Sequence, residues 1–408
     1  MMRSLRSEDP RPAREVNLST VLFCLLEGGA LSRATLAKLT GLNKTTISSL
    51  VEQLLAQGWV HEIGRDTAKT GRPATLLTLN PQAGCAIGVE LGVDYISIIQ
   101  TNFVGEITWQ RFLDVEGPEQ QQILQQTVDL VKMAMRSVEG PWQRLLGIGV
   151  TVPGLVNITD GSLLFSPNLQ WRDVPLQKIF CKQIKLPVIV ENDANAGAIG
   201  ERLFGQARQL NNFLYVSIGV GVGSGLYLNG EMYRGFGGVA GEIGHTNFTQ
   251  GNRPCRCGHR GCWEAYTNQY ALIERVRALL ATGRSSIITQ MITPENPRLT
   301  LAMIAQAAQA NDNVTLEALA ETGEAIGVGI ANLINIFNPG MVIIGGAMSV
   351  VGDYLLPTIS EVVKQYALSA YQQSVRVTFS TFGPMSVVMG AAALVVNATL
   401  FQPNRVLD

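Results

Sequence analysis

The sequence predicts an α/β protein with a small helical domain at its N-terminus. The first eighty residues contain three segments of helical periodicity, whereas strand-like and helix-like segments alternate from residue 84 onwards. The chain has 408 residues, enough for more than one domain, and 46 % of them are hydrophobic, which excludes a disordered protein. Residues 1–80 carry a net charge of +3 and the rest a net −4. A basic head on an acidic body suits a nucleic-acid partner for the head.

Three helices are predicted in this head, over residues 14–27, 33–40 and 44–57. Gly28 ends the first and Ser32 is a good N-cap for the second. The spacing fits a DNA-binding helix-turn-helix and, equally well, an αα-hairpin without a nucleic-acid role. The exposed start of the third helix favours DNA, because hydrogen-bonding side chains there can reach bases and phosphates. These side chains are Asn43, Lys44, Thr45, Thr46, Ser48 and Ser49.

A hairpin is predicted after the third helix, with strands over 59–63 and 75–79. Its long tip is basic and glycine-rich, as a wing that lies along DNA requires, and Arg65 and Arg72 are the expected phosphate contacts. We therefore predict a winged helix-turn-helix domain over residues 1–80. The breaker Asn80-Pro81 indicates a linker at 80–83.

The remaining residues are predicted to fold with helices packed on sheets. Two stretches, beginning near residues 85 and 213, each have the pattern strand-strand-strand-helix-strand, which indicates two similar lobes. The uncharged segment 385–402 is long enough to span a membrane, but it contains Asn397, and we expect a buried core helix. The first 14 residues lack the apolar core of a signal peptide. We expect a cytoplasmic protein without membrane contact.

Three of the six cysteines lie close together: Cys255, Cys257 and Cys262. In a reducing compartment such clustering favours a metal over disulfides, and three thiolates with one imidazole suit a closed, structural zinc site. His245 is the expected fourth ligand, and His259 competes for that position. The isolated Cys24, Cys85 and Cys181 are expected to be buried small hydrophobic residues.

Two further patterns point to a ligand. Asn192, Asp193, Glu242, His245 and Glu264 each follow a predicted strand or a glycine-rich turn, and such a set suits a polyhydroxylated ligand. Scattered surface acids are the alternative. The glycine run 219–225 resembles a phosphate cradle, but an ordinary tight hairpin also explains it.

The order of these features resembles the ROK family, which joins repressors, open reading frames and sugar kinases. The most specific segments are Glu242–His245 followed by Cys255–Glu264, then Glu191–Asn195 and Pro153-Gly154. The resemblance implies a two-lobed, actin-like and hexokinase-like ATPase fold of the ribonuclease H-like type, with a sugar cleft between the lobes. It implies that Asn192, Asp193, Glu242, His245 and Glu264 line the sugar site, and that zinc binds His245, Cys255, Cys257 and Cys262.

The expected domains follow from this resemblance. A first lobe spans 84–196 and is completed by the C-terminal helix 384–401, which packs back through residues 390–393. The second lobe spans 197–383 and includes the zinc loop.

Kinases of the family carry an Asp-x-Gly-Gly-Thr turn that binds Mg²⁺ and phosphate, whereas this chain has Glu90-Leu91-Gly92-Val93-Asp94. Asp94 places negative charge where phosphate would lie, so we predict no enzyme activity. Asp193 would be the general base if the protein were a kinase.

The sequence thus predicts a sugar-responsive repressor of carbohydrate-metabolism genes, with xylose as the best single ligand and glucose or another aldose as alternatives. The expected partners are further copies of the chain, in a homodimer or homotetramer, and a double-stranded DNA operator with an inverted repeat. A sugar kinase and a repressor controlled by a protein partner are the rival readings.

Overall fold

The structure is a computed structural model, and it describes residues 12–66, 74–115, 119–137, 144–248, 251–294, 297–372 and 374–404. We call residues 12–79 the head. It contains the helices α1 (Ala13–Gly28), α2 (Arg33–Thr40) and α3 (Lys44–Ala56) and the strands β1 (Leu31–Ser32), β2 (Val60–Asp66) and β3 (Ala74–Leu79). The strands form one sheet in the order β1-β3-β2.

Local sequence signals fix the turn between α2 and α3. The Ser32 hydroxyl accepts a hydrogen bond from the Thr35 amide at 3.1 Å, and the Asn43 side chain accepts one from the Thr46 amide at 2.7 Å. Each cap satisfies an amide that the first turn of a helix leaves free. Gly41 ends α2 at φ +69°, a left-handed conformation that glycine adopts without strain. The predicted helix-turn-helix and wing strands are confirmed.

The first lobe is built on a sheet in the order β11-β7-β4-β5-β6. Its strands are β4 (Cys85–Leu91), β5 (Tyr95–Asn102), β6 (Ile107–Asp114), β7 (Leu145–Val152) and β11 (Val188–Asn192). Between β7 and β11 lies a small sheet of β8 (Leu155–Asn157), β9 (Ser162–Ser166) and β10 (Trp171–Val174). Helices α4 (Gln120–Arg136) and α5 (Leu176–Gln183) cover one face of the main sheet.

The second lobe has a sheet in the order β14-β13-β12-β15-β16. Its strands are β12 (Phe213–Ile218), β13 (Val222–Leu228), β14 (Glu231–Tyr233), β15 (Met341–Gly345) and β16 (Arg376–Phe379). Counted within each lobe, both sheets have the order 3-2-1-4-5, with the first three strands antiparallel and the last two parallel to the first. The two lobes therefore share one topology, as the repeated sequence pattern predicts.

The helices of the second lobe lie mainly on its outer face. They are α7 (Glu264–Thr267), α8 (Gln269–Ala281), α9 (Ile288–Met291), α10 (Leu301–Gln309), α11 (Asn313–Phe337), α12 (Gly352–Tyr366) and α13 (Ser369–Gln372). Apolar side chains of α8, α10 and α11 pack on β12 and β15 in one core. The long helix α11 begins at a cap in which the Asp312 carboxylate accepts the Thr315 amide at 2.9 Å.

Two helices, α6 (Asp193–Leu203) and α14 (Ser386–Phe401), cover the inner faces of the two sheets. They approach closely because glycine lies at the contacts. A Cβ atom on Gly149 of β7 would lie 1.9 Å from the Ala391 carbonyl oxygen, and one on Gly200 of α6 would lie 2.9 Å from the Gly390 Cα. The segment Gly383–Phe401 is long and apolar enough to cross a membrane. Most of its side chains are buried against α6, β4 and β7, as expected for a core helix.

The head and the first lobe share one hydrophobic core. The rings of Trp59 and Phe103 are 5.1 Å apart, and those of Phe23 and Phe401 are 4.9 Å apart. The predicted linker at 80–83 stays a prediction as a domain limit; residues 81–83 form a 3₁₀ turn, and the Asn80 side chain donates to the Gly58 carbonyl at 2.9 Å. The chain between head and body is thus held by tertiary contacts.

One prediction about the cysteines is wrong. Cys24 and Cys85 are buried, but Cys181 is exposed. Leu176 and Phe180 form the buried side of α5, and Cys181 lies one residue beyond that stripe, on the side that faces solvent. The predicted domain limits stay a prediction, and the limit at 196/197 falls inside α6.

Candidate functional site

The start of α3 forms the candidate DNA surface. Asn43, Lys44, Thr45 and Ser49 are exposed, and Thr46 and Ser48 are partly exposed. The side-chain oxygen of Asn43 is occupied as the helix cap. For Arg65 only the backbone, in β2, is described, and Arg72 lies outside the described residues.

Arg14 of α1 is an additional cation at this surface that the sequence pattern did not single out. Its guanidinium donates to Gln53 at 3.0 Å and to Ser49 at 3.5 Å, both on α3. No local sequence pattern indicated Arg14, because its contact joins two helices that are far apart in the sequence.

A cleft of about 980 Å³ lies between the two lobes. Five predicted ligand residues from three separate segments line it together: Asn192, Asp193, Glu242, His245 and Glu264. The volume exceeds what one monosaccharide needs, and the cleft extends along the glycine-rich turn 219–223 towards Arg298. That turn is a tight antiparallel hairpin between β12 and β13.

The junction of β11 and α6 supplies the first-lobe side of the site. Asn192 caps α6 by accepting the Asn195 amide at 3.1 Å, and its side-chain NH₂ donates to the Gly154 carbonyl at 3.0 Å. The buried carboxylate of Glu191 accepts the Asn192 amide at 2.9 Å and a hydrogen bond from Arg234 of the second lobe at 2.6 Å. Asn192 and Asp193 are therefore held rigidly, with Arg234 joining the lobes behind them.

The second-lobe side comes from two loops. Glu242 precedes a short 3₁₀ turn that ends at His245, and the Glu242 carboxylate lies 3.8 Å from His245 Nε2. Glu264 begins α7 and accepts the Val222 amide at 2.9 Å, which ties the site to the hairpin.

Burial makes the cleft chemically unusual. It raises the pKa of Asp193 to about 7, an effect that the backbone hydrogen bond from Ala194 partly offsets. Burial also raises the pKa of Glu242. A carboxyl group that keeps its proton can both donate and accept hydrogen bonds, and a raised pKa favours this protonated form, which suits ligand hydroxyls.

Glu90 and Tyr95 flank the turn that would hold phosphate in a kinase. The Tyr95 hydroxyl donates to the Glu90 carboxylate, which is 6 % exposed. Burial raises the pKa of Glu90 to about 8, and the Tyr95 hydrogen bond partly offsets this rise. The Tyr95 ring lies against Gly92, where an added Cβ would come within 2.5 Å of the ring. The sequence marked this turn as divergent, but only the structure shows that the Tyr95 ring contacts Gly92.

Asn168 is a cleft residue that sequence reasoning missed. It lies in the first lobe, yet its side-chain oxygen accepts from Arg256 of the second lobe at 3.4 Å. A Cβ added to Gly221 would come within 2.9 Å of the Asn168 side chain and 3.0 Å of Glu264. No motif marked it, since a contact across the cleft depends on the relative placement of the lobes.

Four side chains beside the cleft could hold a metal ion. The ligand atoms of His245, Cys255, Cys257 and Cys262 all lie within 4.8 Å of one another. Cys255 Sγ is 3.7 Å from His245 Nδ1, and the sulfurs of Cys257 and Cys262 are 3.7 Å apart. A zinc tetrahedron with Zn–S bonds of about 2.3 Å has edges of about 3.8 Å, so the donor set fits such an ion. His259 Nδ1 contacts Cys257 at 3.5 Å, on the exposed side of the loop.

Comparison with known proteins identifies the body of the chain. The family model described as the ROK family matches residues 86–398. The chain belongs to the ROK family. Its ROK match begins after the head, so the head is an addition to the part that the family model describes.

Relatives of both kinds in this family are similar to the chain. The xylose repressor of Caldicellulosiruptor bescii is 36 % identical over 393 residues, which cover 96 % of this chain and 98 % of that protein. A ROK family transcriptional regulator, a homolog of the E. coli MLC protein, has a TM-score of 0.78 at 27 % identity and covers 95 % and 97 % of the two chains. A ROK glucokinase from Streptomyces griseus, solved with glucose and AMPPNP, has a TM-score of 0.70 at 27 % identity and covers 76 % and 99 %.

Proposed function

We propose that this ROK protein is a sugar-responsive transcriptional repressor of carbohydrate-metabolism genes. The observation that carries the proposal is that the similarity to a xylose repressor extends over nearly the whole chain, head and cleft included. We expect it to act in the cytoplasm. Its DNA-contacting residues are those at the start of α3, with Arg65 and Arg72 on the wing.

The ligand that we assign to the cleft is an aldose, with D-xylose as the first choice. Asp193, Glu242 and Glu264 accept hydrogen bonds from its hydroxyls, while the Asn192 amide and the His245 ring add hydrogen-bond donors. This assignment is supported by the common lining of one cleft by all five residues. It also agrees with the name of the similar xylose repressor of Caldicellulosiruptor bescii.

We assign a structural zinc ion to His245, Cys255, Cys257 and Cys262. When bound, the ion supplies a cross-link within the loop and no open coordination position for chemistry. His245 turns Nδ1 towards Cys255 and Nε2 towards Glu242, so one ring serves both the cluster and the cleft. The thiol of Cys255 also lies 3.5 Å from Glu264 Oε1. Loop order and sugar affinity are therefore coupled.

The operator that suits the protein is an inverted repeat bound by a homodimer or homotetramer. Two heads fit successive major grooves when their recognition helices are about 34 Å apart. Sugar bound between the lobes changes this separation and lowers operator affinity. A coupling of about 1–3 kcal/mol, or roughly 5- to 150-fold, is sufficient for regulation.

Phosphoryl transfer is disfavoured by the Glu90-Tyr95 arrangement. A buried acid and a tyrosine ring flank the turn where a kinase would bind phosphate, and the ring contacts Gly92 of that turn. The similarity to a glucokinase keeps sugar phosphorylation as the second candidate function. A coupled assay of ADP release with ATP and each aldose separates the two, and we expect no turnover above background.

Operator binding titrated with sugars tests the proposal. The zinc-replete protein is mixed with labelled DNA from upstream of its own gene, and anisotropy is followed with D-xylose, D-glucose and further aldoses. We expect one aldose to release the DNA from the unchanged protein and from an Asp129→Asn control on the exposed side of α4, but not from Asp193→Asn. Binding that no sugar affects would indicate a protein partner as the regulator. A protein that never binds DNA would refute the repressor function.

A further inference from the structure

Helix α6 connects the cleft directly with the head. Its N-terminus carries Asn192 as cap and Asp193 as first residue, both on the cleft. Every residue from Ala194 to Leu203 is buried, and eleven residues extend over about 16 Å. A displacement at the cleft end is therefore carried as a rigid body to the other end.

The far end of α6 meets the head through an ion pair. Arg202, one residue before the helix ends, donates to Glu27 at the end of α1. The Arg202 side chain is 7 % exposed and that of Glu27 is 30 % exposed, so the pair is shielded from solvent on the Arg202 side. Arg202 also donates to the Arg208 carbonyl and lies over the Tyr227 ring at 5.9 Å. The guanidinium is thus held by the Arg208 carbonyl and the Tyr227 ring as well as by its contact with the head.

The same end of α6 is tied to the second lobe. Glu201 accepts a hydrogen bond from the Ser380 hydroxyl, and its other oxygen accepts the Gln206 amide at 2.9 Å. The Gln206 side chain donates to the Phe379 carbonyl at 2.8 Å. Movement of the second lobe therefore reaches residues 201 and 202 as well as the cleft.

We infer that Arg202 is a positioning residue that fixes the orientation of the DNA-binding head through Glu27 and passes on the state of the cleft. This inference rests on the proposed function and adds the contact through which the sugar acts on the operator. Glu27 suits the role because a negative side chain at the C-terminus of α1 is unfavourable without a compensating cation. Loss of the pair leaves the shared core in place but removes the charged contact that orients α1.

The test compares Glu27→Gln, Arg202→Met and Arg202→Lys with the unchanged protein. Glu317→Gln is the matched control, since it breaks a 2.7 Å ion pair with Arg284 in the second lobe. Operator affinity is measured by anisotropy with and without D-xylose and the other aldoses, and sugar affinity without DNA by calorimetry. We expect Glu27→Gln and Arg202→Met to reduce the sugar-induced change in operator affinity at least fivefold, with sugar affinity within twofold of the unchanged protein. Arg202→Lys, which keeps a cation, should regain part of the response.

The outcomes separate the inference from the proposed function. If the unchanged protein responds to a sugar and Glu27→Gln responds equally, the inference is wrong and the repressor function stands. If no aldose acts on the unchanged protein, the proposed sugar response is wrong. The positioning role of Arg202 is then tested by operator affinity without sugar. A fivefold loss in Glu27→Gln that Glu317→Gln lacks then supports the positioning role, and an unchanged affinity overturns it. Absence of DNA binding overturns both.

Discussion

Replacing Glu90 by glutamine should change how the stability of the protein depends on pH. Glu90 is 6 % exposed, and its pKa in the folded protein is about 8, against an ordinary value of 4.5. Between these two values the unfolded chain has released the proton and the folded protein retains it. The contribution of Glu90 to the free energy of unfolding is therefore fully present below about pH 4.5. It falls as the pH rises, until Glu90 ionises in the folded state as well.

The size of the effect follows from the same numbers. Each pH unit of separation corresponds to about 1.4 kcal/mol, so the loss between pH 4.5 and 8 reaches at most about 5 kcal/mol. Glutamine is neutral throughout this range and can accept the Tyr95 hydroxyl through its carbonyl oxygen. Glu90→Gln should thus match the unchanged protein near pH 5 and become more stable than it above pH 7.

The assay is urea unfolding at half-unit steps from pH 5 to 9, followed by tryptophan fluorescence. Glu361→Gln, at an exposed position of α12, provides the control for loss of a carboxylate. The quantity compared is the difference between variant and unchanged protein, which removes titrations common to both. Parallel curves for Glu90→Gln and the unchanged protein across the whole range would refute the assignment of a neutral, buried Glu90.

Three further perturbations test other parts of the molecule. Gly149→Ala should destabilise the first lobe by about 3 kcal/mol, because its Cβ has no space beside the α14 backbone, while Gly237→Ala, whose Cβ would have its nearest contact at 3.7 Å, should change the melting temperature little. Lys44→Ala should weaken operator binding and lower the slope of log K against log salt by about one, and an unchanged slope would remove Lys44 from the DNA contacts. Cys257→Ser should lower both the melting temperature and xylose affinity, as a chelator does, whereas Cys181→Ser should do neither; full xylose affinity in Cys257→Ser would break the link between metal and cleft.

Local signals explain why the head could be predicted closely. The caps at Ser32 and Asn43 and the turn at Gly41 depend on neighbours within a few residues, so the sequence contains the whole cause. The way the connection at 80–83 is held has a cause outside the local sequence. Pro81 does interrupt the strand pattern, but the Pro81 carbonyl accepts the Phe103 amide at 3.2 Å, a contact that no local pattern reveals.

The cleft shows the same contrast between what local sequence reveals and what depends on residues distant in the chain. The sequence supplied the five polar candidates as a set that suits a polyhydroxylated ligand, but the resemblance to ROK proteins placed them around one sugar cleft, because they come from three segments that the fold brings together. Side-chain placement was beyond either argument. The Tyr95 ring over Gly92 and the Asn168 contact with Arg256 depend on rotamers and on the relative position of the lobes.

The place of α14 in the core has a consequence for synthesis. This helix follows every other described element along the chain, yet it packs against α1, α6, β4 and β7. While the ribosome still holds it, the parts of α1 and of the inner face of the first sheet that α14 covers are exposed, and Phe23 lacks its partner Phe401. A translation product that stops before residue 386 thus presents these surfaces to proteases and chaperones.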